Sequence, residues 1–195
     1  MNTFVRLVRL DELHGSYVRY YSVQIEGEDV SLFEDFLNRM EEKGGQDEEV
    51  MNELERLLLW IEVIGNEIRR PLQREFFRHE GRISDAKALP PPRGKAKGHA
   101  RSKAQREPGF NAQELDTGRL RLYCMAANDH VVILFNGDLK TTGIQDANDC
   151  PIVRPFFQQA NLLTRLLNQA FKDQEIRWNE EFDDILFDDD LNLII

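Results

Sequence analysis

Basic residues recur in this chain at spacings that strands would gather on one face. Arg119 and Arg121 lie two apart, and alternate strand residues point the same way, so their guanidinium groups would share a side with Tyr123. Lys140 follows the next apolar run, with Thr141 and Thr142 behind it. Upstream, Arg74, Arg78 and Arg82 recur every four residues. A guanidinium matches a phosphate through two parallel hydrogen bonds, and a tyrosine ring can stack on a base. The set therefore fits an RNA-phosphate site. The same alternation also fits the wet side of a half-buried strand.

Other chemistries lack their residues. The chain has no glycine-rich loop ending in Lys-Ser/Thr, no His-Glu-x-x-His and no Gly-x-Ser-x-Gly. His14, His79, His99 and His130 have no partner at metal-ligand spacing, and two cysteines, Cys124 and Cys150, make neither a zinc site nor a disulfide framework. No metal and no cofactor is expected. No apolar run is long enough for a signal peptide or a membrane span, so a soluble cytoplasmic protein is the expectation.

The net charge of −10 hides two opposed segments. From Arg93 to Arg106 there are six Lys or Arg, among them Lys95, Lys97 and Arg101, and no acid. The segment opens on Leu89-Pro90-Pro91-Pro92 and carries Gly94 and Gly98, which marks a flexible basic insertion over 90–118. It reads either as a solvated loop or as a phosphate-contacting arm. From Asp173 to Asp190 there are nine acids and one base. Trp178, Phe182, Ile185, Phe187, Leu191, Leu193, Ile194 and Ile195 are interleaved with or follow these acids, and a solvated tail has no use for them. The tail, residues 172–195, is expected to dock by adding an edge strand, its acids meeting Arg74, Arg78, Arg119 or Arg121.

These segments need a scaffold. Residues 1–16 read as an N-terminal extension with a short strand, and 17–26 as a better strand. Ser31-Leu32-Phe33-Glu34 has capping-box spacing and opens a helix that Gly44-Gly45 ends. A second helix covers about 47–64, and the two should form an antiparallel hairpin. Residues 119–125 alternate, Asn128-Asp129 is a turn pair, and 130–135 is an apolar run that implies burial on both faces. A last helix spans about 154–171. The order predicts an α+β fold over 17–171: an antiparallel sheet packed by an N-terminal helical hairpin and a C-terminal helix. Leu58, Trp60, Leu120, Leu122, Val132, Leu134, Phe157 and Leu163 should share a core.

The helix hairpin comes first, then Arg78-x-x-Gly81-Arg82 and Ala88-Leu89-Pro90, then Leu120-Arg121-Leu122-Tyr123, then Val132 through Thr142 and a helix. This series resembles the RelE/ParE/HigB superfamily of toxins from toxin–antitoxin systems, over about 17–171. The resemblance implies a compact RelE-like fold, an antitoxin protein as partner, and metal-independent cutting of mRNA within the ribosome. Carried over by position, it implies Arg121, Lys140, Tyr123 and Arg78 as catalytic residues. Arg82, Arg119, Lys95, Lys97 and Arg101 would then contact RNA. The alternative is a non-catalytic module on the same fold that engages a protein partner through the acidic tail. Against the usual family pattern this chain is long and acidic.

Overall fold

The computed structural model describes residues 3–66, 76–81, 84–90 and 118–195. Arg74, Arg82, Lys95, Lys97 and Arg101, and most of the basic insertion, lie outside the described residues.

Strands β1 (Phe4–Arg9) and β2 (Arg19–Ile25) lead into helices α1 (Leu32–Gly44) and α2 (Glu48–Asn66). Strands β3 (Lys87–Leu89), β4 (Leu120–Ala126) and β5 (Val131–Leu139) follow, then helix α3 (Arg154–Lys172). Three short strands close the chain: β6 (Ile176–Trp178), β7 (Ile185–Phe187) and β8 (Leu193–Ile194). The capping box forms as expected, with the Ser31 hydroxyl accepting from the Glu34 amide and the Glu34 carboxylate from the Ser31 amide.

The main sheet runs β3-β4-β5-β2-β1-β8. It is mixed, which corrects the expectation of an antiparallel sheet. β2 pairs with β5 in parallel, Tyr20 opposite Val132, while the other pairs are antiparallel. The reason lies in the connection. The chain leaves β2 and passes through the helical pair and β3–β4 before β5, a crossover long enough to bring a strand back in the same direction.

The sheet is covered on both faces. Phe33, Phe36, Met40, Leu54, Leu57, Trp60 and Ile61 of α1 and α2 pack with Tyr20, Leu120, Leu122, Val132 and Leu134. Phe157, Ala160, Leu163 and Leu167 of α3 pack with Tyr21, Tyr123, Met125, Ile133 and Phe135 on the other face. The expected single core is therefore two cores, one per face, because alternate residues of one strand point to opposite sides. Phe157 and Leu163 belong to the α3 side, and Leu58 is only half-buried. The apolar run in β5 is buried on both faces, as its lack of alternation predicts.

The tail docks. Ile176, Ile185 and Leu193 enter the α3-side core, Trp178 stacks on Phe171 at 4.7 Å, and β8 adds an edge strand to β1. Among the described residues its acids do not meet Arg78, Arg119 or Arg121, the arginines expected. Asp184 lies 3.7 Å from Arg9, whereas Arg78 and Arg121 bind Glu80 and Arg119 faces α2. The tail approaches the sheet at its β1 edge, and those arginines sit at the opposite, β3–β4 side. Among the described residues no helix is long and apolar enough to cross a membrane.

Candidate functional site

One feature of β4–β5 sets the position of Arg121. The register shifts between Leu122 and Cys124, so that Arg121 faces Asp138 and Leu122 faces Gly137. A Cβ on Gly137 would lie 1.8 Å from the Arg121 carbonyl oxygen, so the close approach of the two strands requires glycine. Past the bulge, Asp138 is buried and held by Lys43 at 2.6 Å and Arg39 at 2.9 Å, which ties the end of β5 to α1. Lys140 leaves β5 directly after, its amide bonded to the Arg119 carbonyl at 2.8 Å.

Three cations then meet at one carboxylate, Glu80. Arg121 Nε donates to Glu80 Oε1 at 2.9 Å, Arg78 Nη1 lies 3.5 Å from the same oxygen, and the Lys140 ammonium donates to Oε2. The Glu80 side chain is 5% exposed, that of Lys140 6% and that of Arg121 11%. Arg78 Nε also donates to the Pro90 carbonyl at 2.6 Å, and Arg121 Nη1 to those of Gly118 and Leu120. Burying charge is costly unless it is paired and hydrogen-bonded; here three cations share one carboxylate, and backbone carbonyls take up their further donors.

The cations wall a cleft of about 630 Å³. Arg78, Arg119, Arg121 and Lys140 line it, together with the exposed turn Thr141-Thr142-Gly143 and with Glu49 and Glu53. Arg119 is turned toward α2, where Asp47, Glu49 and Glu53 lie 3.6 to 3.9 Å from its side chain. Glu53 is buried, and its carboxylate accepts the amides of Arg119 and Leu120 at 3.0 and 2.8 Å. Burial pushes its carboxyl pKa up, against the pull of those amides and of Arg119.

Sequence reasoning thus brought together Arg78, Arg119, Arg121 and Lys140. It missed Glu80, which lies 41 and 60 positions from Arg121 and Lys140, and Glu53, which lies 66 and 67 positions from the Arg119 and Leu120 amides it accepts. It also misplaced Tyr123, which is fully buried, with its ring 5.5 Å from that of Phe157. Its hydroxyl has no hydrogen-bond partner among the described residues, and burial drives its pKa far up. No base can stack on that ring. The physical reason is the second helical layer: with α3 over this face, β4 has no wet side. Nor is Arg121 on a wet side: it is largely covered and, like buried Lys140, paired with Glu80.

Among the described residues no group of three or more His, Cys, Asp or Glu could hold a metal ion. Comparison with protein-family models gives no match, and comparisons with curated proteins and with solved structures give none either.

Proposed function

We propose that this cleft binds RNA phosphates and that the chain is a RelE-like toxin of the toxin–antitoxin kind, acting on mRNA without a metal. The observation that carries the reading is the convergence of Arg121, Lys140 and Arg78 on one wall of a cleft whose rim is the exposed Thr141-Thr142-Gly143 turn. Arg121 and Lys140 are fixed before any ligand arrives, and preorganised cations are what a developing phosphorane charge needs. The order of motifs from Arg78 to Thr142 supports the family reading. The sealed Tyr123 has no part in proton transfer.

The test uses expression from a tightly controlled promoter, scored for growth arrest and cut transcripts, together with binding of the purified chain to single-stranded RNA. Thr142→Glu places a negative charge on the exposed rim and leaves the buried ion cluster alone. It should weaken RNA binding and relieve growth arrest. Equal binding by the native and Thr142→Glu proteins would remove the cleft as the RNA site.

A second reading, engagement of a protein partner such as an antitoxin through the tail, is favoured by Phe182. This side chain is 61% exposed, holds a φ of 59° and stands beside exposed Glu180 and Glu181. A bulky residue in the left-handed region is strained. The turn is held by Asn179, whose side chain accepts the Asp183 and Asp184 amides at 3.0 and 3.1 Å. Phe182→Ala with unchanged RNA binding and lost partner binding would separate this reading from the first.

A further inference from the structure

Glu80 stands between two clefts. On one side Arg78, Arg121 and Lys140 line the 630 Å³ cleft; on the other, Glu80 itself lines a second cleft of about 710 Å³ with His79, Gly81 and Asp146. Of the four ion partners, the three cations line only the first cleft and Glu80 only the second. Both carboxylate oxygens of Glu80 are engaged, Oε1 by Arg121 at 2.9 Å and Oε2 by Lys140. The backbone fixes it as well: the Glu80 carbonyl accepts from the Ala147 amide at 2.7 Å, and Lys140 Nζ donates to the Gln145 carbonyl at 2.6 Å within the same loop. Glu80 is thus held at the cluster through both its carboxylate and its backbone.

We propose that Glu80 sets how tightly the cleft holds phosphate, as a built-in counterion on the far side of Arg121 and Lys140. This rests on the reading of the cleft as a phosphate site. An anion arriving at these two cations shares them with a carboxylate already in place, and like charges separated by one layer of side chains repel through a medium that screens poorly. The carboxylate makes the buried cations affordable in the empty protein and, by the same charge, keeps the bound state weak enough to release. A purely structural carboxylate would act in the opposite direction: its loss would disorder Arg121 and Lys140 and weaken binding.

The test is Glu80→Gln in the full chain, with a short single-stranded RNA and, separately, inorganic phosphate as probes. The Gln variant should bind the RNA about ten-fold more tightly, with the charge-dependent slope against log salt steeper by about 0.7, one further phosphate neutralised on a single strand. Its melting temperature should also rise with millimolar inorganic phosphate more than that of the native protein, because phosphate replaces the missing carboxylate. Glu80→Asp, which keeps the charge, should bind RNA like the native chain. Equal or weaker RNA binding by the Gln variant, with phosphate raising both melting temperatures alike, would overturn the proposal. If the Gln variant does not fold in low salt, phosphate should restore the fold, and failure to do so would overturn it too. Should native and Thr142→Glu proteins bind RNA equally, the RNA reading fails, and the phosphate melting shift still judges Glu80 by itself.

Discussion

The hydroxyl of Tyr21 donates to the carboxylate of Asp184, 163 positions further along the chain. Tyr21 is fully buried in the middle of the sheet, and burial, with the Asp184 carboxylate next, keeps its hydroxyl protonated well above the ordinary range. The acidic tail is thus fastened to the sheet by a polar bond inside an apolar face. Among the described residues, Tyr21→Phe leaves the Asp184 carboxylate with Arg9 and the Ile185 amide. The loss should be about 1–3 kcal/mol of stability, read from urea denaturation. A change within error would show that this bond does not help to hold the tail.

Removing one cation from the Glu80 cluster should be costly in the same way. Lys140→Met takes away a partner of Oε2 and leaves the carboxylate to Arg121 and Arg78. Destabilisation of about 1–3 kcal/mol is expected, less than for a pair left wholly broken. In a double-mutant cycle with Glu80→Gln the two losses should fall well short of additive. Additive losses would mean that Lys140 and Glu80 do not act as a unit.

Gly137 is a sharper case. Its substitution by Ala puts a Cβ into the Arg121 carbonyl, so the β4–β5 bulge must open and Arg121 must move. A loss of about 3 kcal/mol is expected, at the upper end of overpacking costs. Gly45→Ala, in an αR position with its nearest neighbour 3.5 Å from the new Cβ, should be close to neutral. Thermal melts of the two variants side by side would check the contrast.

Cys150 gives stability a pH dependence. Burial pushes its thiol up, but the amides of Thr141, Val153 and Ile152, with the Thr141 hydroxyl, outweigh that and bring it down to about 7. The folded value lies below the unfolded one near 9. The thiolate's contribution is therefore fully present above pH 9 and is lost as pH falls through 7. Denaturation between pH 6.5 and 9.5 should show native stability gaining relative to Cys150→Ala as pH rises. Parallel profiles would remove Cys150 as the source.

Much of the scaffold was legible because it is local. Ser31 and Glu34 announce their helix within four residues, and Asn128-Asp129 announces the β4–β5 turn. The apolar phase of α3 names the side it buries. What that phase cannot name is which of a sheet's two faces a helix will cover, so Phe157 and Trp60 were placed together although they lie on opposite sides. The same gap misled the reading of β4. Alternation of Arg119, Arg121 and Tyr123 with leucines reads as wet against dry only when one face is open. With both faces covered, Tyr123 is core and Arg121 must find a buried acid. That acid is 41 positions away, and no spacing rule connects Glu80 to Arg121 or Lys140.

The parallel seam at the centre of the sheet has a consequence for how the chain reaches this structure. Arg19 and Val131 are register partners, so neighbouring strands are joined only after the whole helical pair and β3–β4 have been threaded between them. The α1–α2 pair and the β4–β5 ribbon can form from nearby residues within microseconds. The seam waits for a loop of more than a hundred residues to close, and that entropy is spent before the contacts reward it. Refolding from denaturant should therefore pass quickly to a collapsed chain with its local pieces made, then slowly through the docking of β2 on β5.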